Sequence, residues 1–274
     1  MSQSMKGHES DEHDWRAAGA AWGHAAVDWA CLYEHYAVDV LVAMCAATSV
    51  AKARDVLDVA CGAGYGMRFM RGLGATVAGL DASEDLLTIA RERNPDSDIR
   101  LGSMFELPWS EASFDVAISV NGIWGGCEAA LVEMRRVLCP GGRVAISFWG
   151  DGSDGAPLDM RPSFQVYKAH VPPNNVDGMR LTNRIATPGV AEEMLTDAGF
   201  QVLERGARVS EIEWADDDIA WRALTSGGPA MPALENSDHV QLRCDLLAAL
   251  APSRNAQGMY RYRNDHQFVI ARAV

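Results

Sequence analysis

Asp55-Val-Leu-Asp-Val-Ala-Cys-Gly-Ala-Gly-Tyr-Gly66 decides the fold. Residues 55–60 are a short apolar run, the glycines form a turn, and Tyr65 to Leu73 continues as a helix. A strand that ends in glycines and runs into a helix opens a strand–helix–strand unit. The rhythm then repeats. Thr76-Val-Ala-Gly-Leu80 reads as a second strand ending at Asp81. Ser83 is placed to cap a helix, with Glu84 and Asp85 in its first turn and Leu86, Leu87 and Ala90 on one face. Asn94-Pro95 stops that helix. Ile99–Leu101, Asp115–Val120 and Arg143–Phe148 give three more strands, with a helix over 129–138 and a Pro140-Gly-Gly142 turn between the last two. Near-continuous apolar strands alternating with helices predict an α/β, doubly wound, mostly parallel sheet covered on both faces.

Working outward, residues 1–14 are polar and read as a disordered tail, and 15–50 as an N-terminal helical cap. The core spans 51–149, and the rhythm breaks after Trp149. Gly150–Asn183 reads as loops or short helices, Pro188–Gly199 as a helix, and Phe200–Trp214 as containing a strand. Ala215–Met259 is largely helical and Tyr260–Ala271 supplies a last strand, so 150–274 holds lid insertions and the strands that complete the sheet. Both insertions are long for mere connections, which predicts a helical lid over the ligand edge.

Composition bounds the function. At 274 residues, 48% hydrophobic and 22% charged, the chain is globular, with room for one large domain. A net charge of −13 repels phosphate backbones, so no nucleic-acid partner is expected. Six cysteines without a C-x-x-C pair, and no leader, predict reduced thiols in a cytoplasmic protein; the sequence leaves open whether it is a monomer or homodimer. The longest greasy stretch, 37–50, is too short to span a bilayer and contains Asp39. Seven histidines show no i, i+4 pair, so no metal is expected. The acidic run Glu211–Asp218 reads as a solvated loop.

Open parallel sheets bind ligands beyond the carboxyl ends of their strands. There the chain reads Gly62-x-Gly64-x-Gly66, and the third glycine of a dinucleotide fingerprint would fall at Met67. A pyrophosphate site is therefore disfavoured. Asp58 lies four residues before Gly62, and Asp81 ends the second strand, where a carboxylate can take both hydroxyls of a ribose. The bland reading of the glycines is a strand–helix turn, and of Asp81 a surface acid.

Four stretches together carry a resemblance: Val56-Leu-Asp-Val-Ala-Cys-Gly-Ala-Gly64; Val77-Ala-Gly-Leu-Asp-Ala-Ser83; Gly102-Ser-Met-Phe-Glu-Leu-Pro-Trp109 with Ser113-Phe-Asp115; and Arg136-Val-Leu-Cys-Pro-Gly-Gly142. In this order, over 55–149, the chain resembles class I S-adenosylmethionine (SAM)-dependent methyltransferases of the ubiquinone/menaquinone-methyltransferase-like, small-molecule branch. The resemblance implies a Rossmann-like seven-stranded sheet, SAM as cofactor, S-adenosylhomocysteine (SAH) as product and a small organic methyl acceptor. It implies that Asp58, Ala60, Gly62 and Gly64 line the methionine part, that Asp81 binds the ribose, and that Ala82, Ser103 and Met104 flank the adenine. Asn121 would lie beside the sulfonium. Ala60 stands where many relatives have glycine, and Ser103 where many have aspartate.

The aromatics Trp15, Trp22, Trp29, Tyr33 and Tyr36 recur at near-helical spacing. Core packing is their bland reading; the alternative is a helix over the cofactor mouth, with Trp22 and Tyr33 on SAM. Trp29, Trp109 and Trp124 are the expected substrate-pocket residues, and His24, His35 and His170 the candidate bases. Two alternatives stand beside methyl transfer: a nicotinamide-dependent oxidoreductase on the same architecture, and a non-catalytic SAM-binding protein. After the fourth strand the chain reads Asn121-Gly-Ile-Trp124, not the Asn/Asp-Pro-Pro-aromatic run of enzymes that methylate base nitrogens.

Overall fold

The computed structural model describes residues 15–152, 155–172 and 183–274. The expected tail, 1–14, and the middle of the first insertion lie outside the described residues. The strands are β1 (Asp55–Val59), β2 (Thr76–Asp81), β3 (Ile99–Leu101), β4 (Phe114–Val120), β5 (Leu138–Trp149), β6 (Phe200–Trp214) and β7 (Tyr260–Ala273). They form one seven-stranded sheet in the order β3-β2-β1-β4-β5-β7-β6. The first five run parallel, and β7 inserts antiparallel between β5 and β6. The order reverses between β1 and β4, so the turn after β1 opens at the switch point of the sheet.

Strand alternation divides the core. Val56, Val77, Val116, Ile118 and Ala145 face one hydrophobic cluster, and Leu57, Ala78, Ala117, Val144 and Ile146 face the other. The first face is covered by α2 (Val38–Thr48), α3 (Tyr65–Gly72) and α4 (Glu84–Arg93), while α1 (Trp15–Gly23) packs on α4 and the loop after β2. The second is covered by α5 (Glu128–Val137) and α7 (Val190–Asp197). Ser83 caps α4 as expected, accepting from the Leu86 N–H. Met67, at the missing third glycine, is fully buried, and a Cβ on Gly79 of β2 would lie 2.5 Å from its sulfur. The strand glycine, rather than a helix glycine, makes room where α3 meets β2.

Between α1 and α2 the chain stays helical but changes pitch. It passes through a short α segment (Ala26–Asp28), a π turn (Trp29–Tyr33) and a 3₁₀ turn (Glu34–Ala37). The continuous run Ala26–Thr48 is 23 residues, long and apolar enough by composition to cross a membrane, which the expectation drawn from 37–50 did not reach. Its inward residues Val40, Leu41, Met44 and Cys45 are buried in the main core. Pro140-Gly-Gly142 is not a separate turn. It is a bulge inside β5, where the ladder jumps from Phe114–Leu138 to Val116–Arg143. The acidic run is likewise structured. Glu211 and Glu213 lie on β6, and Asp216 caps α8 (Asp217–Thr225) by accepting from the Ile219 N–H.

The late segment forms a cap. α6 (Met160–Ala169), α9 (Met231–Asn236) and α10 (His239–Leu250) share a small core of Tyr167, Ala230, Ala233, Leu242 and Leu246. β6 and β7 run beyond the sheet as a two-stranded ribbon that buries Trp214, Tyr260 and Tyr262. The Trp214 Nε1–H donates to the Leu32 carbonyl, tying the ribbon to the N-terminal run.

Candidate active site

A cavity of about 560 Å³ opens at the carboxyl edge of the sheet. Residues from the ends of all five parallel strands line it: Ala60–Gly62, Leu80–Ala82, Gly102–Phe105, Val120–Trp124 and Phe148–Trp149. The N-terminal run closes one side with Trp22, Trp29 and Tyr33, and the late segment closes the other with Met160, Phe164, Tyr167 and Gly227–Ala230.

The backbone at the strand ends is strained in two places. Ala60 (φ 60°) and Asn121 (φ 56°) adopt left-handed conformations without being glycine. Ala60 turns the chain at the end of β1, so Gly62 and Asp81 meet. The Gly62 N–H donates to Asp81 Oδ2 at 2.8 Å and the Ser83 N–H to Oδ1 at 2.9 Å. Each Asp81 oxygen therefore has one backbone partner and further acceptor capacity. Asn121 turns the chain after β4. Its Oδ1 accepts from Ser147 Oγ, and its Nδ2–H donates to the Tyr36 hydroxyl at 2.6 Å.

Three carboxylates face the glycine turn. Burial pushes Asp58 well above the usual carboxylate range, and the neighbouring Glu34 and Asp81 add to it. Burial also raises Asp81, with the Ser83, Gly62 and Ala82 N–H groups opposing. Glu34 is raised to about 7 by burial, against the pull of Arg93. Much of the remaining wall is aromatic, beginning beside the glycine turn, where Trp29 Nε1 would lie 3.7 Å from a Cβ on Gly62. Trp29 stacks on Tyr33 (centroids 5.2 Å), Tyr33 packs on Tyr36 (4.7 Å), and Tyr36 stacks on Trp149 (4.9 Å, 12°). Behind Trp149 lies His266, fully buried and held down to about 3 by burial.

Of the residues singled out from sequence, Asp58, Ala60, Gly62, Asp81, Ala82, Ser103, Met104, Asn121, Trp22, Tyr33, Trp29 and Trp124 line this cavity. Others do not. Gly64 (φ 79°) starts α3 and faces away, where a Cβ would meet Ala90 and Asn94. Trp109 is corrected too. Its Nε1–H donates to Asp98 and its ring packs between Arg100 and Phe114, because the loop after β3 turns it outward. None of the three histidines reaches the cavity. His24 bonds the Ala21 and Thr225 carbonyls, His35 is exposed, and His170 pairs with Asp245. Glu34 and Trp149 also line the cavity, as does Tyr36, which the sequence marks only as one of a run of spaced aromatics. Trp149 ends β5 on the ligand edge, which is a signal the sequence carries, but the π turn over Trp29–Tyr33 resets the helical register that would assign Glu34 to the cavity side.

A family model described as "Methyltransferase domain" matches residues 57–146. A protein of Encephalitozoon cuniculi named as a methyltransferase is 31% identical over 164 residues, 57% of this chain and 75% of its own length. This chain belongs to the class I SAM-dependent methyltransferase family. Demethylmenaquinone methyltransferase of Tropheryma whipplei is 29% identical over 199 residues, 69% of this chain and 77% of its own length. Against other curated relatives, the matched part of this methyltransferase-family chain spans only 37–40% of their length. The crystal structure of a Bacillus halodurans protein titled as a methyltransferase shares the fold, with TM-score 0.56 and 16% identity over 85% of this chain and 98% of that one.

Proposed function

We propose that the protein moves a methyl group from SAM to a small organic acceptor by in-line displacement. One observation carries the reading: the acidic glycine turn and a wall of aromatic side chains line a single cavity. Donor and acceptor can therefore meet without crossing solvent. The cradle fits the cofactor. Asp81 has free lone pairs for a ribose diol, and the space over Gly62 would be partly filled by a Cβ, 3.2 Å from Glu34 Oε1. Ala82, Ser103 and Met104 form the adenine wall, and Asp58 with Ala60 and Gly62 the methionine end. When bound, SAM supplies an electrophilic methyl on a sulfonium.

The chain's own residues then position. Tyr33, Tyr36, Trp124 and Trp149 grip the acceptor and exclude water. Tyr36 acts as a hydrogen-bond donor: Asn121 occupies one of its lone pairs, and burial keeps the phenol protonated. Orientation of this kind supplies about 7–11 kcal/mol of barrier reduction. With His24, His35 and His170 away from the cavity, no histidine proposed from sequence is placed to act as base. The cap helices α6 and α8 act as the lid and carry acceptor specificity. Six free cysteines support work in a reducing cytoplasm, and the charge of −13 supports a small acceptor over nucleic acid.

The test is incubation with SAM carrying a deuterated methyl group, together with a fractionated metabolite extract. The expected result is a small molecule that gains the labelled methyl. SAM bound tightly with no labelled product in any fraction would leave a non-catalytic binding protein instead.

A further inference from the structure

The N-terminal run and α8 meet along a seam in the cavity wall. Both sides of the seam line the cavity: Ala18, Ala21 and Trp22 from α1, and Ala223, Leu224 and Gly227–Ala230 from α8 and the turn that follows it. Two glycines let the sides approach. A Cβ on Gly228 would stand 3.0 Å from Trp22 Nε1, and one on Gly227 3.5 Å from the Trp22 and Trp29 rings. Polar contacts cross the seam as well. Arg222 of α8 pairs with Asp28, at 3.0 Å from Nε and 2.5 Å from Nη2. His24 follows the end of α1, and its Nε2 lies 2.8 Å from the Thr225 carbonyl across the seam. Its Nδ1 lies 2.7 Å from the Ala21 carbonyl on its own side.

His24 therefore faces a carbonyl oxygen at each ring nitrogen, and a carbonyl only accepts. A neutral imidazole carries one N–H and serves one of the two; its other nitrogen then turns a lone pair on an oxygen at hydrogen-bond distance. Only the doubly protonated ring donates to both. The setting favours that form. Ala21 lies in the last turn of α1 and Thr225 ends α8, so the ring sits between two helix C-termini, whose partial negative charges attract a cation. We propose that His24 is a proton-operated latch in the cavity wall: with both ring nitrogens protonated it fastens α1 to α8, and on losing one proton it gives up one carbonyl and frees the seam to open. The latch goes beyond the methyltransferase reading and uses it only to choose a probe ligand.

The ionisable groups around the ring are Asp85 of α4, whose Oδ2 would stand 2.8 Å from a Cβ on the neighbouring Gly23, and the Arg222 and Asp28 pair from α8 and the N-terminal run. Carboxylates and guanidinium groups ordinarily hold their charge from about pH 5 to about pH 8, where an imidazole changes. His24 is exposed, so solvent supplies and removes its proton. The sign follows from the donors: the fastened seam favours the charged ring, so acidification closes it and the closure is lost as pH rises. When the seam opens, the Trp22 indole leaves Gly227 and Gly228, and a ligand gains a way past it.

Stopped-flow release of SAH from the whole protein, wild type and His24→Gln, tests the latch. A glutamine amide donates from one end only and does not titrate. The variant should release SAH about tenfold faster than the wild type at about pH 6, and within about twofold of it at about pH 8. Taking the ratio at each pH cancels the titration of Glu34, which both proteins share. A purely structural His24 would give the same ratio at both pH values, which overturns the proposal. Nitrogen-15 spectra of the wild-type ring give a second reading. At about pH 6 two slowly exchanging ring N–H protons should appear, because each is held by a carbonyl; a ring with one such proton overturns the latch. If SAH binds neither protein, the methyltransferase reading fails, and the ring spectra of the free protein decide the latch by themselves.

Discussion

At the residue scale, Asp81 and Gly64 separate binding from folding. Asp81 is buried, and each of its oxygens already takes one backbone N–H. Asp81→Ala should weaken SAH by about 2 kcal/mol or more, roughly 30-fold, because the ribose diol loses its acceptor. Gly64 acts in the opposite way. With φ 79° and a Cβ that would stand 3.0 Å from Ala90 Cα, Gly64→Ala should lose about 2 kcal/mol of stability while folded protein keeps its SAH affinity. Calorimetry and denaturant unfolding on both variants check the pair; a Gly64→Ala protein that is stable but blind to SAH would reverse the assignment. The histidines belong at this scale too. His24, His35 and His170 stand away from the cavity, so alanine at each should lower turnover by less than about a hundredfold, the low end of a general base's contribution. Turnover abolished in one of them with SAH affinity intact would identify a base.

At the element scale, α1 is docked by its glycines. A Cβ on Gly19 would fall 1.9 Å from the Ala82 carbonyl oxygen, and one on Gly23 2.5 Å from Ser83 Oγ. α1 thus lies directly on the loop after β2 and brings Trp15 and Trp22 over the cavity. Gly19→Ala should lift α1, weaken SAH about tenfold and, by fraying the helix, speed tryptic cleavage after the already exposed Arg16, with little change in the melting of the sheet. Unchanged affinity would place α1 outside the ligand's reach. The cap makes a parallel prediction. Because α6 and α8 line the cavity from the far side, SAH together with an acceptor should slow proteolysis within 160–172 and 217–230. Equal cleavage with and without ligands would count against a lid.

At the scale of the whole molecule, buried ionisable groups set the response of stability to pH. Glu34 is raised to about 7 in the folded state, so between about 4.5 and 7 the native chain binds more protons than the unfolded one, and stability falls as pH rises. Asp58 acts in the same direction. His266 does the reverse. It stays neutral down to about 3, so below about 6.5 the unfolded chain takes the proton and stability falls as pH drops. Urea midpoints across this range should therefore pass through a shallow maximum. His266→Phe should flatten the acid limb and leave the alkaline limb, and an acid limb that persists in the variant would assign it to other groups.

Much of this was legible in the chain. The strands from 55 to 149, the Ser83 cap and the ligand edge at Gly62 and Asp81 follow from local rules, since period-2 apolar runs, glycine turns and N-caps act over a few neighbouring residues. That locality is also the limit. Trp109 follows a strand just as Trp124 does, yet one faces Asp98 and the other the cavity, because loop direction depends on packing far along the chain. Glu34 meets Arg93 across 59 residues of sequence, and Tyr36 meets Asn121 across 85. Their helical register was broken by a π turn that only the docking of the N-terminal run on the sheet and ribbon selects. Sequence alone determined the sheet and the edge where a ligand sits. The tertiary structure decided which acids and aromatics converge there, because convergence is a sum of long-range contacts that no local pattern records.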